Sequence, residues 1–286
     1  MQTLRECIED YKKQSRALGH FNVSDANQLE AIARAAKETK LPVLVGLSEG
    51  ERAFFPIAHA RLLIDAYRAE GIQLYLNADH TYSTEKVAAA IQDGVESVVV
   101  DGAKLSFDDN VALVRQCVAL AKAHTGEVLV EGELGYIGTS STVMTSVPAG
   151  AAITEAMMTR PEDLNRFVLE TGIDLVAPAV GNIHGIVTNG QPKLSIARIS
   201  QLASMVDVPL VLHGGSGSSD EEFAQAVAAG ISIIHINTDI RLIYRDGLKD
   251  AIAQHPDVVA PYKFLEPVVE KLQQYLMQKM RLFARM

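Results

Sequence analysis

Residues 209–217, with the sequence PLVLHGGSG, indicate the fold more directly than any other part of the chain. Their apolar part, 209–212, is too short for a helix and predicts a buried strand. The strand ends at His213, and the glycines and serine that follow allow backbone N–H groups to approach an anion closely. One interpretation is a metal ligand beside a phosphate-binding turn. The other is a core histidine before a flexible turn.

The same pattern recurs along the chain, where apolar runs alternate with segments of helical periodicity. The runs, rich in Val, Ile and Leu, cover residues 19–23, 42–48, 73–79, 97–103, 128–134, 175–181, 209–215 and 232–238. The helical segments cover residues 26–39, 57–70, 84–93, 107–124, 161–170, 196–205 and 220–229. Such alternation is typical of a parallel sheet covered on both faces. Eight units in roughly 250 residues predict an α/β fold, a (β/α)8 TIM barrel with a C-terminal helical extension.

We expect residues 1–286 to form one domain, and a doubly wound open sheet is the alternative to the barrel. The dinucleotide-binding version of that alternative is disfavoured, because no GxGxxG motif follows the first strand. The longest stretch that fits neither a strand nor a helix covers residues 135–154. A long loop on a compact barrel is often functional, although a surface insertion without a role is the other interpretation.

Composition excludes several functional classes. The formal net charge of −9 provides no long-range attraction to nucleic acid or anionic membranes, so an anionic substrate needs a local site. Cys7 and Cys117 have no CxxC spacing, which predicts a reducing compartment and no disulfide framework. The N-terminal segment is charged throughout, and no run approaches the ~18 apolar residues of a membrane span. We therefore expect a cytoplasmic protein that binds neither nucleic acid nor membranes.

Polar residues that can carry chemistry gather at the predicted strand ends. In (β/α)8 barrels the active site lies at the C-terminal rim. The residues at these ends are Asp79 and His80, Glu131 and Glu133, His184, His213, and finally His235, Asn237, Thr238 and Asp239. A lone histidine is usually structural, but three at one rim are better explained by a metal site.

His80, His184 and His213 would supply three neutral nitrogen ligands and leave one position open for a substrate, as catalytic zinc sites do. The glycines that follow His184 and His213, together with Ser216 and Thr238, offer N–H and hydroxyl donors to a phosphate without a lysine or arginine. Of the other histidines, His20 opens the first strand. No role is assigned to His59, His124 or His255.

Eight segments taken in order, FNVSD, LSEGE, ADHTYS, DGVESVVVDGA, VEGELGYIG, AVGNIHG, VPLVLHGGSG and INTDIR, resemble a known family. It is the class II, zinc-dependent ketose-bisphosphate aldolases, and the resemblance continues into PYKFLEPVVEKLQQYLMQKMRLF near the C-terminus. The family includes fructose-1,6-bisphosphate and tagatose-1,6-bisphosphate aldolases, which are (β/α)8 barrels. The resemblance does not separate these two substrates.

The resemblance implies a role for each matching residue. It makes His80, His184 and His213 the zinc ligands, with Glu133 near the metal, where a second divalent or monovalent cation can bind. It makes Asp79 the acid/base that serves the C4 hydroxyl. The remaining matches are substrate contacts: Ser48, and for the phosphate of dihydroxyacetone phosphate Gly185, Gly214, Gly215, Ser216, Asn237 and Thr238.

Two places depart from the family's pattern. The family's fructose enzymes commonly carry a glutamate after the ELG strand that shuttles the proton of the enediol, whereas this chain has Thr139, Ser140, Ser141 and Thr142 there. The family also commonly has an asparagine on strand eight that touches the substrate near its reacting carbons. This chain has His235 at that position. His235 is therefore the candidate proton carrier, because an imidazole titrates near neutral pH. The alternative is a histidine packed in the barrel mouth.

The predicted activity is a lyase that cleaves a ketose 1,6-bisphosphate, fructose first and tagatose next, to dihydroxyacetone phosphate and glyceraldehyde 3-phosphate. A metal-dependent barrel isomerase or hydrolase and a catalytically silent sugar-phosphate binder are the alternatives. A Schiff base on Lys104 is disfavoured by the three convergent histidines. We also expect a homo-oligomer, a dimer or tetramer, and a C-terminal helix whose apolar residues pack against its own barrel.

Overall fold

In the computed structural model, which describes residues 2–138 and 141–286, the predicted strands close into a parallel barrel. The strands are β1 (Leu18–Asn22), β2 (Val43–Leu47), β3 (Leu74–Thr81), β4 (Ser97–Val100), β5 (Leu129–Leu134), β6 (Val143–Met144), β7 (Leu175–Pro178), β8 (Ile186–Val187), β9 (Leu210–Leu212) and β10 (Ile231–Ile236). The barrel order is β1-β10-β9-β7-β5-β4-β3-β2, and neighbouring strands are parallel. The predicted barrel is confirmed, and the open sheet is excluded.

Helices cover the outside of the barrel, as the alternating pattern predicts. They are α1 (Leu4–Lys13), α2 (Ala26–Thr39), α3 (Glu49–Phe54), α4 (Ile57–Ala69), α5 (Thr84–Gln92), α6 (Phe107–Ala123), α7 (Pro161–Thr171), α8 (Ile196–Met205), α9 (Asp220–Ala229), α10 (Thr238–Gln254) and α11 (Pro261–Phe283). Among the residues that the structure describes, none of these helices is both long and apolar enough to cross a membrane.

The last barrel strand is shorter than predicted. The apolar pattern placed its end at residue 238, but β10 stops at Ile236 and α10 begins at Thr238. Asn237 leaves the extended conformation at ψ −58° and turns the chain directly into the helix. The predicted helical segments did not include α10. The consequence for function is that Thr238 lies at a helix N-terminus on the barrel rim.

The C-terminal helix α11 packs against its own barrel, as expected from its apolar spacing. Phe283 contacts two other aromatic rings, with centroid distances of 6.5 Å to Phe21 of β1 and 5.1 Å to Phe223 of α9. Each fully buried aliphatic side chain contributes about 1.5–3 kcal/mol relative to exposure. The buried aliphatic residues of α11 are Val268, Val269, Leu272, Leu276 and Met280.

The stretch 135–154 contains a strand, contrary to the prediction that it has none. The two residues of β6 pair in parallel with β8, and Val143 lies opposite Ile186. Two residues are too few to show an alternating pattern, so this pairing was not visible in the sequence. The pairing ties the stretch to the segment that follows His184. Thr139 and Ser140, which replace part of the family's loop, lie outside the described residues.

Candidate active site

A cleft of about 230 Å³ opens at the C-terminal ends of the barrel strands. Most of the predicted site residues line this cleft: Ser48, Asp79, His80, His184, Gly185, Gly214, Ser216, His235, Asn237 and Thr238. Two others, Glu133 and His213, are buried, with 2% and 1% of their surface exposed. The fold thus brings together side chains that are distant in the sequence, because every parallel strand ends at the same rim.

Four side chains bring metal-binding atoms together at this rim: His80 and Glu133, on β3 and β5, and His184 and His213, after β7 and β9. One donor atom from each lies within 4.8 Å of the others. The His80 ring meets the rings of His184 and His213 edge-on, with centroid distances of 4.7 and 4.9 Å. The three histidines and the glutamate singled out in the sequence therefore form one cluster.

Three atoms of this cluster are buried without a hydrogen-bond partner: His184 Nε2, His213 Nδ1 and Glu133 Oε2. A buried polar atom left unpaired costs about 1–3 kcal/mol, so three together need an explanation. Imidazole nitrogens with a carboxylate oxygen are the donor set that zinc and similar divalent ions prefer. The residues fit a divalent metal ion.

Neighbouring carboxylates orient two of the histidine rings. His80 Nδ1 lies 3.0 Å from Asp101 Oδ2, and His213 Nε2 lies 2.6 Å from Glu131 Oε1. A metal-ligating histidine usually donates its second N–H to such a carboxylate, which fixes the tautomer and the ring. Glu131 thereby leaves His213 Nδ1 without a protein partner, and this nitrogen lies 3.9 Å from Glu133 Oε2 of the cluster.

The protonation of the cluster follows from burial and neighbouring charges. Burial lowers the pKa of His213 to about 3 and also lowers the pKa of His184, so both rings are neutral at pH 7 and can bind a metal. Burial, with the charge of Asp101 added, raises the pKa of Glu133 well above its usual value. Burial acts to lower the pKa of His80, but Asp79 and the other carboxylates raise it to about 10.

Asp79 lies beside the cluster with one oxygen held and one free. Its Oδ2 accepts a hydrogen bond of 3.0 Å from Asn22 Nδ2, whereas its Oδ1 is buried without a hydrogen-bond partner. Oδ1 lies 3.6 Å from His235 Nδ1 and 3.8 Å from His80 Nε2. Burial acts to raise the pKa of Asp79, but His80 and His235 hold it well below its usual range. The carboxylate is ionised at neutral pH and can accept a proton.

His235 lies in a stack of three imidazoles. Its ring is 3.5 Å from the ring of His20 and 4.1 Å from that of His213, centroid to centroid. Gly46 leaves room for this stack, because a Cβ there would lie 2.1 Å from His20 Cε1. Burial lowers the pKa of His235 well below its usual value, so the near-neutral titration expected from the sequence was wrong. The ring is neutral, and it lines the cleft.

The glycine turn after β9 packs against the start of α10. Gly214 has φ +59°, and a Cβ there would lie 2.2 Å from the carbonyl oxygen of Ile183. The Ser216 hydroxyl accepts a hydrogen bond of 3.2 Å from the Asp239 N–H, in the first turn of α10. A helix N-terminus presents unpaired N–H groups and a positive dipole end. This part of the rim is therefore suited to an anion.

Gly215 is the one predicted site residue that neither lines the cleft nor reaches the metal cluster. Its N–H donates to the carbonyl oxygen of His235 at 3.2 Å, which joins the turn to β10. A Cβ would lie 2.9 Å from that oxygen and 3.1 Å from the Phe223 ring. The Gly215 N–H is therefore engaged within the protein, and the close packing around Cα favours a packing role over the predicted phosphate contact. Alternate residues of the turn face opposite sides, which the run of glycines could not reveal.

Several residues in or beside the cleft were missed by sequence reasoning, among them Asn22, Glu51 and Arg241. Asn22 and Arg241 line the cleft, and Arg241 is the only arginine or lysine among the described residues that do so. Arg241 Nη2 lies 2.6 Å from Glu51 Oε1, and Nη1 donates to the Ser141 carbonyl at 3.3 Å. Residues three apart share a helix face, so the spacing of Arg241 from Thr238 would have been a signal had α10 been predicted.

The fold and the site define a class of (β/α)8 enzymes whose rim carries a donor cluster that could hold a metal ion. The profile described as fructose-bisphosphate aldolase class II matches residues 2–286. A fructose-bisphosphate aldolase from Geobacillus stearothermophilus is 31% identical to this chain, covering 99% of it and 96% of the relative. The chain belongs to the class II fructose-bisphosphate aldolase family and is a lyase, as the resemblance implied.

Two further relatives show the range of the family. A 6-phospho-5-dehydro-2-deoxy-D-gluconate aldolase from Bacillus subtilis strain 168 is 30% identical, covering 99% of this chain and 95% of the relative. The crystal structure of the YdjI aldolase from Escherichia coli K12 matches with a TM-score of 0.80 and 25% identity, over 99% of this chain and 96% of that one. Family membership therefore defines an aldolase without defining its sugar.

Proposed function

We propose that the protein reversibly cleaves a ketose 1,6-bisphosphate, with zinc, to dihydroxyacetone phosphate and glyceraldehyde 3-phosphate. Fructose 1,6-bisphosphate is the first candidate and tagatose 1,6-bisphosphate the second. One observation carries the proposal: metal donors, an ionised carboxylate and a helix N-terminus all meet at one cleft. Membership of an aldolase family favours this reaction over an isomerase, a hydrolase or a silent sugar-phosphate binder.

The metal cluster addresses the main chemical difficulty of the reaction. Cleavage of a carbon–carbon bond beside a ketone leaves a carbanion, whose charge must move onto an oxygen held by an electrophile. A zinc ion held by His80, His184 and His213 supplies that Lewis acid when bound. Glu133 would hold the same ion or a second divalent or monovalent cation. Asp101 and Glu131 keep the histidine rings oriented.

Asp79 is our candidate for the acid/base. In cleavage it would take the proton of the C4 hydroxyl, and in condensation it would return a proton to the aldehyde oxygen. Two features support this role: against the effect of burial, His80 and His235 hold the pKa of Asp79 well below its usual range, and its Oδ1 has no hydrogen-bond partner in the protein. Its position directly before His80 in the chain places it beside the metal cluster.

The phosphate of dihydroxyacetone phosphate would bind at the anion-suited part of the rim. The proposed contacts line the cleft around the N-terminus of α10: Gly185, Gly214, Ser216, Asn237 and Thr238, with Ser48 as a further substrate contact. Binding energy from the phosphate would fix the reacting carbons against the metal and Asp79. Gly215 is left out because its N–H is bonded within the barrel.

The carrier of the enediol proton is proposed to be His235. Its ring lines the cleft and lies 3.6 Å from Asp79 Oδ1, and its Nε2 has no hydrogen-bond partner in the protein. The stacking of His235 between two other imidazoles also fits a packing role. Glu133 is the alternative carrier.

A substrate panel tests the proposal. Ketose mono- and bisphosphates and 6-phospho-5-dehydro-2-deoxygluconate would be incubated with the zinc-loaded and the chelator-treated protein, and triose phosphate release followed with a coupling enzyme. We expect cleavage of bisphosphates by the zinc-loaded protein alone, with fructose fastest. Cleavage of none of them, or a borohydride-trapped adduct on Lys104, would overturn the proposal.

We also propose a cytoplasmic location and a homo-oligomer, a dimer or tetramer. The location is supported by Cys7 and Cys117, which are buried free thiols. Free thiols persist in reducing compartments. Sedimentation of the purified protein would test the oligomeric state, and a monomer at micromolar concentration would contradict it.

A further inference from the structure

Glu51 is a buried carboxylate at the edge of the cleft that no step of the proposed reaction uses. It lies in the first turn of α3 and is 5% exposed. All four of its hydrogen-bond partners are donors: Ser48 N–H at 2.8 Å and Asn22 Nδ2 at 2.8 Å on Oε2, and Arg241 Nη2 at 2.6 Å and Asn237 Nδ2 at 3.4 Å on Oε1. A buried charge is tolerated only when donors satisfy it in this way.

Helix capping explains only one of these four contacts. In a capping box, the glutamate in the third helical position accepts a hydrogen bond from the N–H of the capping residue, which here is Ser48. The chain has a matching example in α1, where Glu6 caps the Thr3 N–H at 2.8 Å and is exposed. Capping therefore requires neither the burial of Glu51 nor its contacts with Asn22, Asn237 and Arg241.

The contact with Asn22 leads directly to the candidate acid/base. The two hydrogens of Asn22 Nδ2 are shared between Glu51 Oε2, at 2.8 Å, and Asp79 Oδ2, at 3.0 Å. Because Glu51 fixes the rotation of the amide, the second hydrogen is held on Asp79 Oδ2. The other oxygen, Asp79 Oδ1, is left free of protein donors.

We propose that Glu51 is a positioning residue that acts through Asn22 to fix the carboxylate of Asp79, so that Oδ1 faces the hydroxyl that loses its proton. The inference rests on the proposed function, in which Asp79 is the acid/base. The second oxygen of Glu51 holds Asn237 and Arg241 at the other end of the cleft.

Two substitutions of Glu51 test this role in the zinc-loaded protein. Glu51→Ala removes the carboxylate, and Glu51→Asp keeps the charge but retracts it by one methylene. The conservative Glu51→Asp change keeps the test possible if Glu51→Ala fails to fold. Both should lower kcat for cleavage by about 10- to 100-fold, the range typical of residues that orient a metal site's ligands. Exchange of the dihydroxyacetone phosphate proton with solvent does not use the C4 hydroxyl, so we expect it to continue at the parent rate when dihydroxyacetone phosphate is saturating.

A double-mutant cycle separates action through Asn22 from a general structural role. If Glu51 acts on Asp79 through Asn22, then adding Glu51→Ala to Asn22→Ala should lower kcat no further than Asn22→Ala alone. Glu6→Ala, which removes the glutamate of an exposed capping box, is the matched control and should leave both cleavage and exchange unchanged.

Three outcomes would overturn the inference. Cleavage and exchange that fall together in the Glu51 variants would indicate a structural role. Losses that multiply in the double variant would show that Glu51 does not act through Asn22. Cleavage at the parent rate in both Glu51 variants would show that Glu51 does not position Asp79. Failure of the parent protein to cleave any ketose bisphosphate would instead refute the proposed function, and the inference with it.

Discussion

Glu96 and Glu133 lie at opposite ends of the same barrel, and their surroundings differ in one respect. Glu96 directly precedes β4, and its oxygens lie 2.9 Å from Arg61 Nη1, 2.6 Å from Arg68 Nη2 and 2.7 Å from the Leu76 N–H. Glu133, near the C-terminal end of β5, has its Oε2 buried without a hydrogen-bond partner. The N-terminal carboxylate is saturated with donors, whereas the C-terminal one is left open.

The difference shows how the barrel separates stability from function. Saturated polar groups at the N-terminal end hold neighbouring strands together. Unpaired buried atoms at the other end lower stability, and they persist where a ligand supplies the missing partner. Those around the cleft include His184 Nε2, His213 Nδ1, Glu133 Oε2, Asp79 Oδ1 and His235 Nε2. Substitutions at the two ends should therefore fail in different ways.

The largest effect is expected from loss of a metal donor at the open end. His184→Ala should abolish zinc retention and slow cleavage by ~10³-fold or more, because a bound Lewis acid is worth several kcal/mol to the transition state. Metal content after dialysis and the cleavage rate would be measured together. His59→Ala, on the exposed side of α4, is the control and should change neither. A variant that lost its zinc but kept its activity would refute the metal mechanism.

The next effect is expected from the free carboxylate. Asp79→Ala should slow cleavage by ~100-fold or more, the usual contribution of a positioned acid/base, while zinc stays bound. Proton exchange of dihydroxyacetone phosphate should continue, because it is a separate step. If zinc is lost along with activity, Asp79 belongs to the metal site and not to proton transfer.

The two glutamates themselves can be compared directly. Glu96→Gln should lower the free energy of unfolding by about 1–3 kcal/mol, because Gln cannot accept from all three donors. Glu133→Gln should leave the free energy of unfolding of the metal-free protein unchanged, because the pKa of Glu133 is raised and Gln resembles its protonated form. It should instead weaken metal binding by about 10- to 100-fold. Urea unfolding and metal titration of both variants would check this, and equal destabilisation would remove the distinction.

A smaller effect is expected at the anion-binding part of the rim. Thr238→Val keeps the shape but removes the hydroxyl, and should raise the Kd for dihydroxyacetone phosphate by about tenfold, the worth of one hydrogen bond to a charged group. Thr171→Val is the matched control, because the Thr171 hydroxyl bonds to the Phe167 carbonyl at 2.6 Å within α7. It should change stability alone. Unchanged affinity in Thr238→Val would move the phosphate site elsewhere.

The smallest effect is expected at His235. His235→Asn should slow proton exchange of dihydroxyacetone phosphate more than it weakens phosphate binding, because the ring would carry the proton without holding the anion. Exchange would be followed by solvent deuterium incorporation. If exchange is unchanged, and Glu133→Gln at saturating metal abolishes it, His235 is a packing residue and the glutamate is the carrier.

The barrel and the metal donors could be predicted from the sequence because both depend on short, local sequence patterns. Apolar runs between helical segments require a parallel sheet buried on both faces, and in a closed barrel the ends of such strands share one rim. His80 and His213, at the ends of their strands, had to share that rim once the barrel closed. The strand limits were predicted less well, since Asn237 and Thr238, assigned to the last strand, adopt a turn and the start of a helix.

The partners of the site residues were decided by the tertiary structure alone. Glu131 reaches His213 across 82 residues of sequence, and Glu51 reaches Arg241 across 190. Whether such groups meet depends on strand register and on the direction in which each side chain leaves the rim, and neither leaves a local signal. For the same reason Gly214 and Gly215 are alike in the sequence, yet in the structure Gly214 lines the cleft and Gly215 packs in the wall.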